Sequence, residues 1–132
     1  AWSFARRCRQ EIGWDDPLDE PARRRLGRIP RLAKGRTQMV EALSTVGEAI
    51  VHKRADPKIL FVLSDGLPSD FSQTAIEVVN LEEAGILPIG LGLGRGTRKL
   101  ADFFPVSETE IPQERIVESV AGLLSENLLS RA

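Results

Sequence analysis

Cysteine and histidine are nearly absent from this sequence: its 132 residues include one of each, Cys8 and His52. A single cysteine cannot form a disulfide within the chain, and it excludes a zinc site built from several cysteines. A single histidine leaves any Ser-His-Asp or Cys-His centre with only one residue to serve as its base. These two shortages count against thiol and catalytic-triad chemistry.

Long hydrophobic runs and an excess of one charge are missing as well. The longest apolar runs are far shorter than the ~20 residues that a membrane-spanning helix needs, and no charged-then-apolar leader opens the sequence. The formal net charge is −1, too small to attract nucleic acid or an anionic membrane. We therefore expect a cytoplasmic protein that binds neither. With 42% hydrophobic and 28% charged residues, the composition is that of one globular domain spanning residues 1–132.

Helical periodicity first becomes clear in the stretch TQMVEALSTVGEAIVHK, residues 37–53. Its apolar residues recur at the spacing of a helix with one buried stripe. Thr37 stands at the start and belongs to the residue types that cap helix N-termini. The next stretch, KILFVLSDG, has the unbroken apolar run typical of a strand buried on both faces of a parallel sheet. Residues 59–63 are therefore predicted to form a central strand.

The rest of the chain continues this alternation of strands and helices. A helix is predicted over SQTAIEVVNLEEAG, with Ala75, Val78, Val79 and Leu81 facing inward and Gly85 just past its end. The remaining predicted elements are a short strand or hairpin in WSFARRCRQEIGW, a strand in ILPIGLGLG, a short helix in TRKLADFF, an edge strand in VSETEI and an amphipathic helix in ERIVESVAGLLSENLL. The pattern predicts an α/β fold with a doubly wound, mostly parallel sheet and helices on both faces.

An acidic residue, Asp65, follows the most apolar strand directly, in the sequence SDGLPSD. Ligands of open α/β sheets bind beyond the carboxyl ends of the strands, which is where Asp65 is expected to lie. A strand-end carboxylate together with hydroxyls from neighbouring loops suits Mg²⁺, a cation that prefers oxygen ligands. Asp-Gly is also a common turn dipeptide, so Asp65 could serve the turn alone.

The motifs GRT, ending in Thr37, and ILFVLSDGLPSD together resemble the von Willebrand factor A domain, and AGILPIGLGLG resembles the next strand of that family. The resemblance implies a Rossmann-like sheet with a metal-ion-dependent adhesion site, in which Thr37 and Asp65 are metal ligands. The family's Asp-x-Ser-x-Ser loop does not occur in this sequence. The resemblance therefore implies a partial domain without the first strand–helix unit, in which Mg²⁺ binding is weak or absent.

The resemblance also implies a function: a protein–protein interaction module, not an enzyme, whose bound Mg²⁺ accepts an Asp or Glu of the partner. Within the family the chain is similar to the domains of cobaltochelatase subunits and nitric-oxide-reductase activation proteins, which implies an AAA+ ATPase of the MoxR type as partner. One alternative is a Mg²⁺-dependent phosphotransferase or hydrolase centred on Asp65, which would need further acids or a lysine nearby; the only such acid in the loop is Asp70. A structural subunit without a competent site is the other alternative.

The glycine-rich stretch IGLGLGRGT matches no nucleotide-binding fingerprint. Counting from Gly90 places Arg95 where G-x-G-x-x-G requires its third glycine, and counting from Gly92 places Thr97 there. No Lys-Ser/Thr pair completes a P-loop. We therefore expect no bound NAD or ATP, and we expect the glycines to serve close packing and a tight turn.

Overall fold

The computed structural model of the chain describes residues 2–4, 8–10, 21, 39–53 and 57–131. Strands β1 (Trp2–Phe4) and β2 (Cys8–Gln10) form an antiparallel pair with Trp2 opposite Gln10. The predicted short hairpin near the start of the chain is therefore confirmed.

A three-stranded parallel sheet forms the centre of the described structure. Its strands are β3 (Lys58–Ser64), β4 (Ile86–Leu93) and β5 (Val106–Ile111), in that order. The helices are α1 (Met39–Val51), α2 (Phe71–Glu83) and α3 (Ile116–Arg131), with 3₁₀ turns at Arg98–Asp102 and Gln113–Arg115. Strands and helices alternate along the chain from α1 onward, which confirms the α/β class.

Helices α1 and α2 supply much of the hydrophobic core. The buried stripe of α1 comprises Met39, Leu43, Val46 and Ile50, as the helical spacing predicts. It packs with Val62 of β3 and Ile86 of β4. At the end of α1, Lys58 Nζ donates a hydrogen bond to the Val51 carbonyl (3.0 Å), which satisfies one of the carbonyls left open at a helix C-terminus.

The inward face of α2 differs from the prediction at two positions. Val78 and Leu81 are buried as expected, but Ala75 and Val79 are exposed, and the buried position one turn before Val78 is taken by Thr74. Thr74 tolerates burial because its hydroxyl donates to the Asp70 carbonyl at 2.6 Å. Gly85 lies just past the helix with φ of 84°, as predicted for a residue that ends a helix.

Strands β3 and β4 have similarly apolar sequences but different surroundings. Strand β4 pairs with β3 on one side and β5 on the other, and it is buried almost throughout. Strand β3 has one neighbour among the described strands, so most of its residues are only half-buried and Leu63 is 40% exposed. The prediction that residues 59–63 form a central strand buried on both faces is wrong for the described sheet, because β4 occupies the middle position.

Helix α3 was expected to be amphipathic, and its burial does not follow that expectation. Val117 is 80% exposed, whereas Ser119 is only 8% exposed. The helix follows β5 and contacts it. In the described part of the chain, no helix combines the length and apolar character needed to cross a bilayer.

Candidate functional site

Asp65 lies at the carboxyl edge of the parallel sheet. It is the first residue after β3, whose last residue, Ser64, pairs with Gly92 near the end of β4. The side chain of Asp65 is exposed. It forms no hydrogen bond or ion pair with any residue that the structure describes. The strand-end location expected from the sequence is therefore confirmed.

The loop that carries Asp65 is held from both sides. The buried Ser64 hydroxyl donates to the Gly66 carbonyl (2.9 Å) and accepts from the Gly66 amide (3.3 Å). Leu67 packs against the core formed by α1 and α2, and Pro68 is buried. Because these contacts fix the backbone on each side of Asp65, its carboxylate projects from an ordered turn.

Asp70, the second acid of the loop, serves the helix that follows. Its carboxylate Oδ1 accepts a hydrogen bond from the Gln73 amide (3.0 Å), so Asp70 is the N-cap of α2. The sequence carries a signal for this role, since an Asp followed three residues later by Gln is the pattern of a helix N-terminus. In the sequence analysis Asp70 was considered only as the further acid of an enzyme centred on Asp65.

A buried hydroxyl that the sequence analysis missed, that of Thr97, joins the ends of β4 and β5. Thr97 Oγ1 donates to the Gly94 carbonyl (2.9 Å) and accepts from the Glu110 amide (3.0 Å). Glu110 has φ of 56°, at the irregularity where the pairing of β4 with β5 shifts register. The sequence offers no signal for this contact, because it joins residues thirteen positions apart through a local distortion of the strand.

The glycines of the stretch IGLGLGRGT have packing and turn roles, as expected. A Cβ atom at Gly90 would collide with the Phe104 ring, and one at Gly92 would collide with Thr97. Gly94 and Gly96 have φ of 74° and 85°, the region that favours glycine in tight turns.

Of the two ligands predicted for the metal site at the carboxyl edge of the sheet, the described residues include one, the Asp65 carboxylate. The Ser64 hydroxyl is already engaged with Gly66, and Thr37, the other predicted ligand, lies outside the described residues. Within the part of the chain that the structure describes, no three His, Cys, Asp or Glu side chains converge as a metal site. Mg²⁺ in proteins usually keeps several waters and is held by one or two carboxylates, so Asp65 fits the role of one such ligand.

Comparisons with known proteins give no family assignment. No protein-family model matches the chain, and no curated protein matches it. The resemblance to the von Willebrand factor A domain therefore rests on the sequence motifs that contain Thr37 and Asp65 alone.

Proposed function

We propose that this chain is a protein–protein interaction module, similar to a von Willebrand factor A domain, that binds its partner through Mg²⁺ held by Asp65 and Thr37. The observation that supports the proposal is the environment of Asp65. Its carboxylate is exposed and forms no hydrogen bond to a described residue. It lies at the carboxyl edge of a parallel sheet, on a turn that the Ser64 hydroxyl holds through Gly66. A carboxylate needed only for local structure would be expected to bond to nearby backbone, as that of Asp70 does when it caps α2.

The turn around Asp65 suits a binding role, because its backbone needs little further ordering when a ligand binds. The Ser64 contacts and the buried Pro68 already hold the backbone around Asp65. When bound, Mg²⁺ would supply an open coordination position for an Asp or Glu oxygen of the partner. Asp65 and the Thr37 hydroxyl would orient the ion, and the partner would complete its coordination.

The partner that we propose is an AAA+ ATPase of the MoxR type, on the strength of the sequence resemblance. The proposal places the protein in the cytoplasm, where a lone cysteine such as Cys8 stays reduced. The alternative of a Mg²⁺-dependent phosphotransferase or hydrolase has less support. Its second acid would be Asp70, and that carboxylate is engaged in capping α2.

Partner binding tests the proposal. The purified chain and a MoxR-type ATPase from the same source are mixed in Mg²⁺ and in EDTA, and affinity is measured by calorimetry. We expect weak binding in Mg²⁺ that EDTA abolishes, because Asp65 and Thr37 are two ligands and the sequence contains no Asp-x-Ser-x-Ser loop to supply more. Asp65→Ala should weaken it by about thirtyfold or more, the loss expected when one member of a buried charge contact is removed.

Two further variants sharpen this experiment. Thr37→Ala should also weaken Mg²⁺-dependent binding, because it removes the second proposed ligand. Glu83→Gln, which neutralises an exposed carboxylate at the far end of α2, should bind normally. Equal affinity in Mg²⁺ and EDTA, together with normal binding by Asp65→Ala, would show that Asp65 is a turn residue.

A further inference from the structure

A groove lies between α3 and β5. Strand β5 is the outer strand on the opposite side of the sheet from β3, the strand that leads into the Asp65 loop. The volume of the groove is about 270 Å³. Glu108 of β5 lines one side, and the face of α3 that carries Ser119, Gly122 and Leu123 lines the other. Since β3 and β5 are the two outer strands of the three-stranded sheet, this groove and the Asp65 loop are separate surfaces.

The groove is negatively charged. Three carboxylates line it, those of Glu108, Glu118 and Glu126, together with the guanidinium of Arg115. Three negative charges and one positive charge leave a net charge of −2. Arg115 Nε lies 3.6 Å from Glu118 Oε2, whereas Glu108 and Glu126 form no ion pair with any described residue. The two unpaired carboxylates make the groove attractive to a cation.

Ser119 gives an independent indication of a ligand. The residue is 8% exposed and lines the groove, yet its hydroxyl forms no hydrogen bond with any residue that the structure describes. A serine in a helix commonly bonds to the carbonyl four residues earlier when it is buried. Buried hydroxyls without a partner cost free energy, so the unbonded Ser119 hydroxyl, which faces the groove, is available to a polar atom of a ligand.

Gly122 keeps the groove open. A Cβ atom placed at Gly122 would meet nothing within 4 Å, so the space beside this glycine is free. Glycine destabilises a helix interior relative to alanine, so its presence in the middle of α3 has a cost. The half-buried Leu123 beside it provides an apolar wall. An aliphatic chain fits this combination of open space and apolar wall.

From these features we propose that the groove binds an alkylammonium chain: a primary ammonium group on an aliphatic stem. An ammonium group has three N–H donors and no acceptor, which matches the Glu108 and Glu126 carboxylates and the Ser119 hydroxyl oxygen. The stem lies against Leu123 and Gly122. A bare metal ion fits less well, because it would leave the apolar wall formed by Leu123 without a contact. The ammonium group belongs either to a free aliphatic diamine or to a lysine side chain of another protein.

Amide chemical shifts of the ¹⁵N-labelled chain test this proposal. The chain is titrated separately with 1,4-diaminobutane, with N-acetyl-lysine methylamide and with tetramethylammonium, at constant ionic strength. We expect saturable shifts at Glu108, Ser119, Gly122 and Glu126 with the first two compounds. Tetramethylammonium, which has no N–H donor, should give none. Tighter binding of the diamine would assign a free amine, and tighter binding of the lysine amide would assign a protein side chain.

Variants connect the shifts to the groove. Gly122→Leu should abolish binding by filling the open space, and its melting temperature should confirm that it folds. Glu126→Gln should weaken binding, and Ser119→Ala should weaken it about tenfold, the effect of one hydrogen bond to a charged group. Glu83→Gln, away from the groove, should bind normally. The proposal is overturned if no titration saturates, if tetramethylammonium binds equally well, or if Gly122→Leu and Glu126→Gln keep full affinity.

Discussion

Asp65 and Asp70 lie in the same loop and have the same side chain, but their contacts indicate different roles. The Asp70 carboxylate accepts a hydrogen bond from the Gln73 amide and caps α2. The Asp65 carboxylate is exposed and bonds to no described residue. Asp70 therefore stabilises the fold, and Asp65 is available to a ligand.

This difference predicts opposite effects of one substitution at the two positions. Asp70→Ala should lower the free energy of unfolding by about 1 kcal/mol, the usual cost of losing an N-cap. Asp65→Ala should leave it unchanged within about 0.5 kcal/mol, as for other exposed positions without a bonded partner. Urea unfolding followed by circular dichroism measures both.

Asp70→Asn serves as the control, because asparagine caps helices about as well as aspartate. It should retain the stability that Asp70→Ala loses. If Asp65→Ala proved as destabilising as Asp70→Ala, the Asp65 side chain would have a structural role that the observed contacts do not include.

Single residues also show how far sequence reasoning reaches into the site. The position of Asp65 could be predicted, since an acid directly after a long apolar strand must lie at the strand's end. The cap at Asp70 has a local signal, because its partner is three residues away. The contact of Thr97 with the Glu110 amide has none, because it depends on how two strand ends meet in space.

At the scale of elements, β3 and β4 show which part of the fold depends on tertiary structure. Both strands are apolar runs in the sequence, and both were correctly predicted to be strands. Their order in the sheet could not be predicted from composition, because it depends on which neighbours pair with each strand. Strand β4 has two neighbours and is buried, whereas β3 has one described neighbour and is half-buried.

Adjacent residues of β3 provide a test of its pleat and of its position. Val62 is 7% exposed and packs in the core with α1 and α2, while Leu63 is 40% exposed. Val62→Asp should place an unpaired charge in the core and unfold the domain. The Leu63 side chain points to the other face of the sheet. Leu63→Asp should therefore lower the free energy of unfolding by about 1 kcal/mol or less, because a half-exposed charge stays hydrated.

Circular dichroism and melting temperature distinguish these outcomes. We expect no cooperative melting transition for Val62→Asp and a modest shift for Leu63→Asp. A Val62→Asp variant that melts like the unmodified chain would contradict the assignment of Val62 to the core.

At the scale of the whole molecule, two polar surfaces lie at opposite sides of the sheet. The Asp65 loop follows β3, the outer strand on one side, and the acidic groove adjoins β5, the outer strand on the other side. The sequence indicates the first through its motif. It does not indicate the second, because Glu108 and the lining residues of α3 come together only when the helix packs on β5.

The most direct test of the proposed function is to locate where a divalent cation binds. Mn²⁺ replaces Mg²⁺ at oxygen sites and broadens the NMR signals of nearby amides, so it reveals weak binding as well. We predict that small additions of Mn²⁺ broaden the amide signals of Ser64, Asp65 and Gly66 first, that excess Mg²⁺ restores them, and that Asp65→Ala abolishes the effect. Broadening centred on the acidic groove while the Asp65 loop stays sharp, or a pattern unaltered by Asp65→Ala, would contradict the proposal.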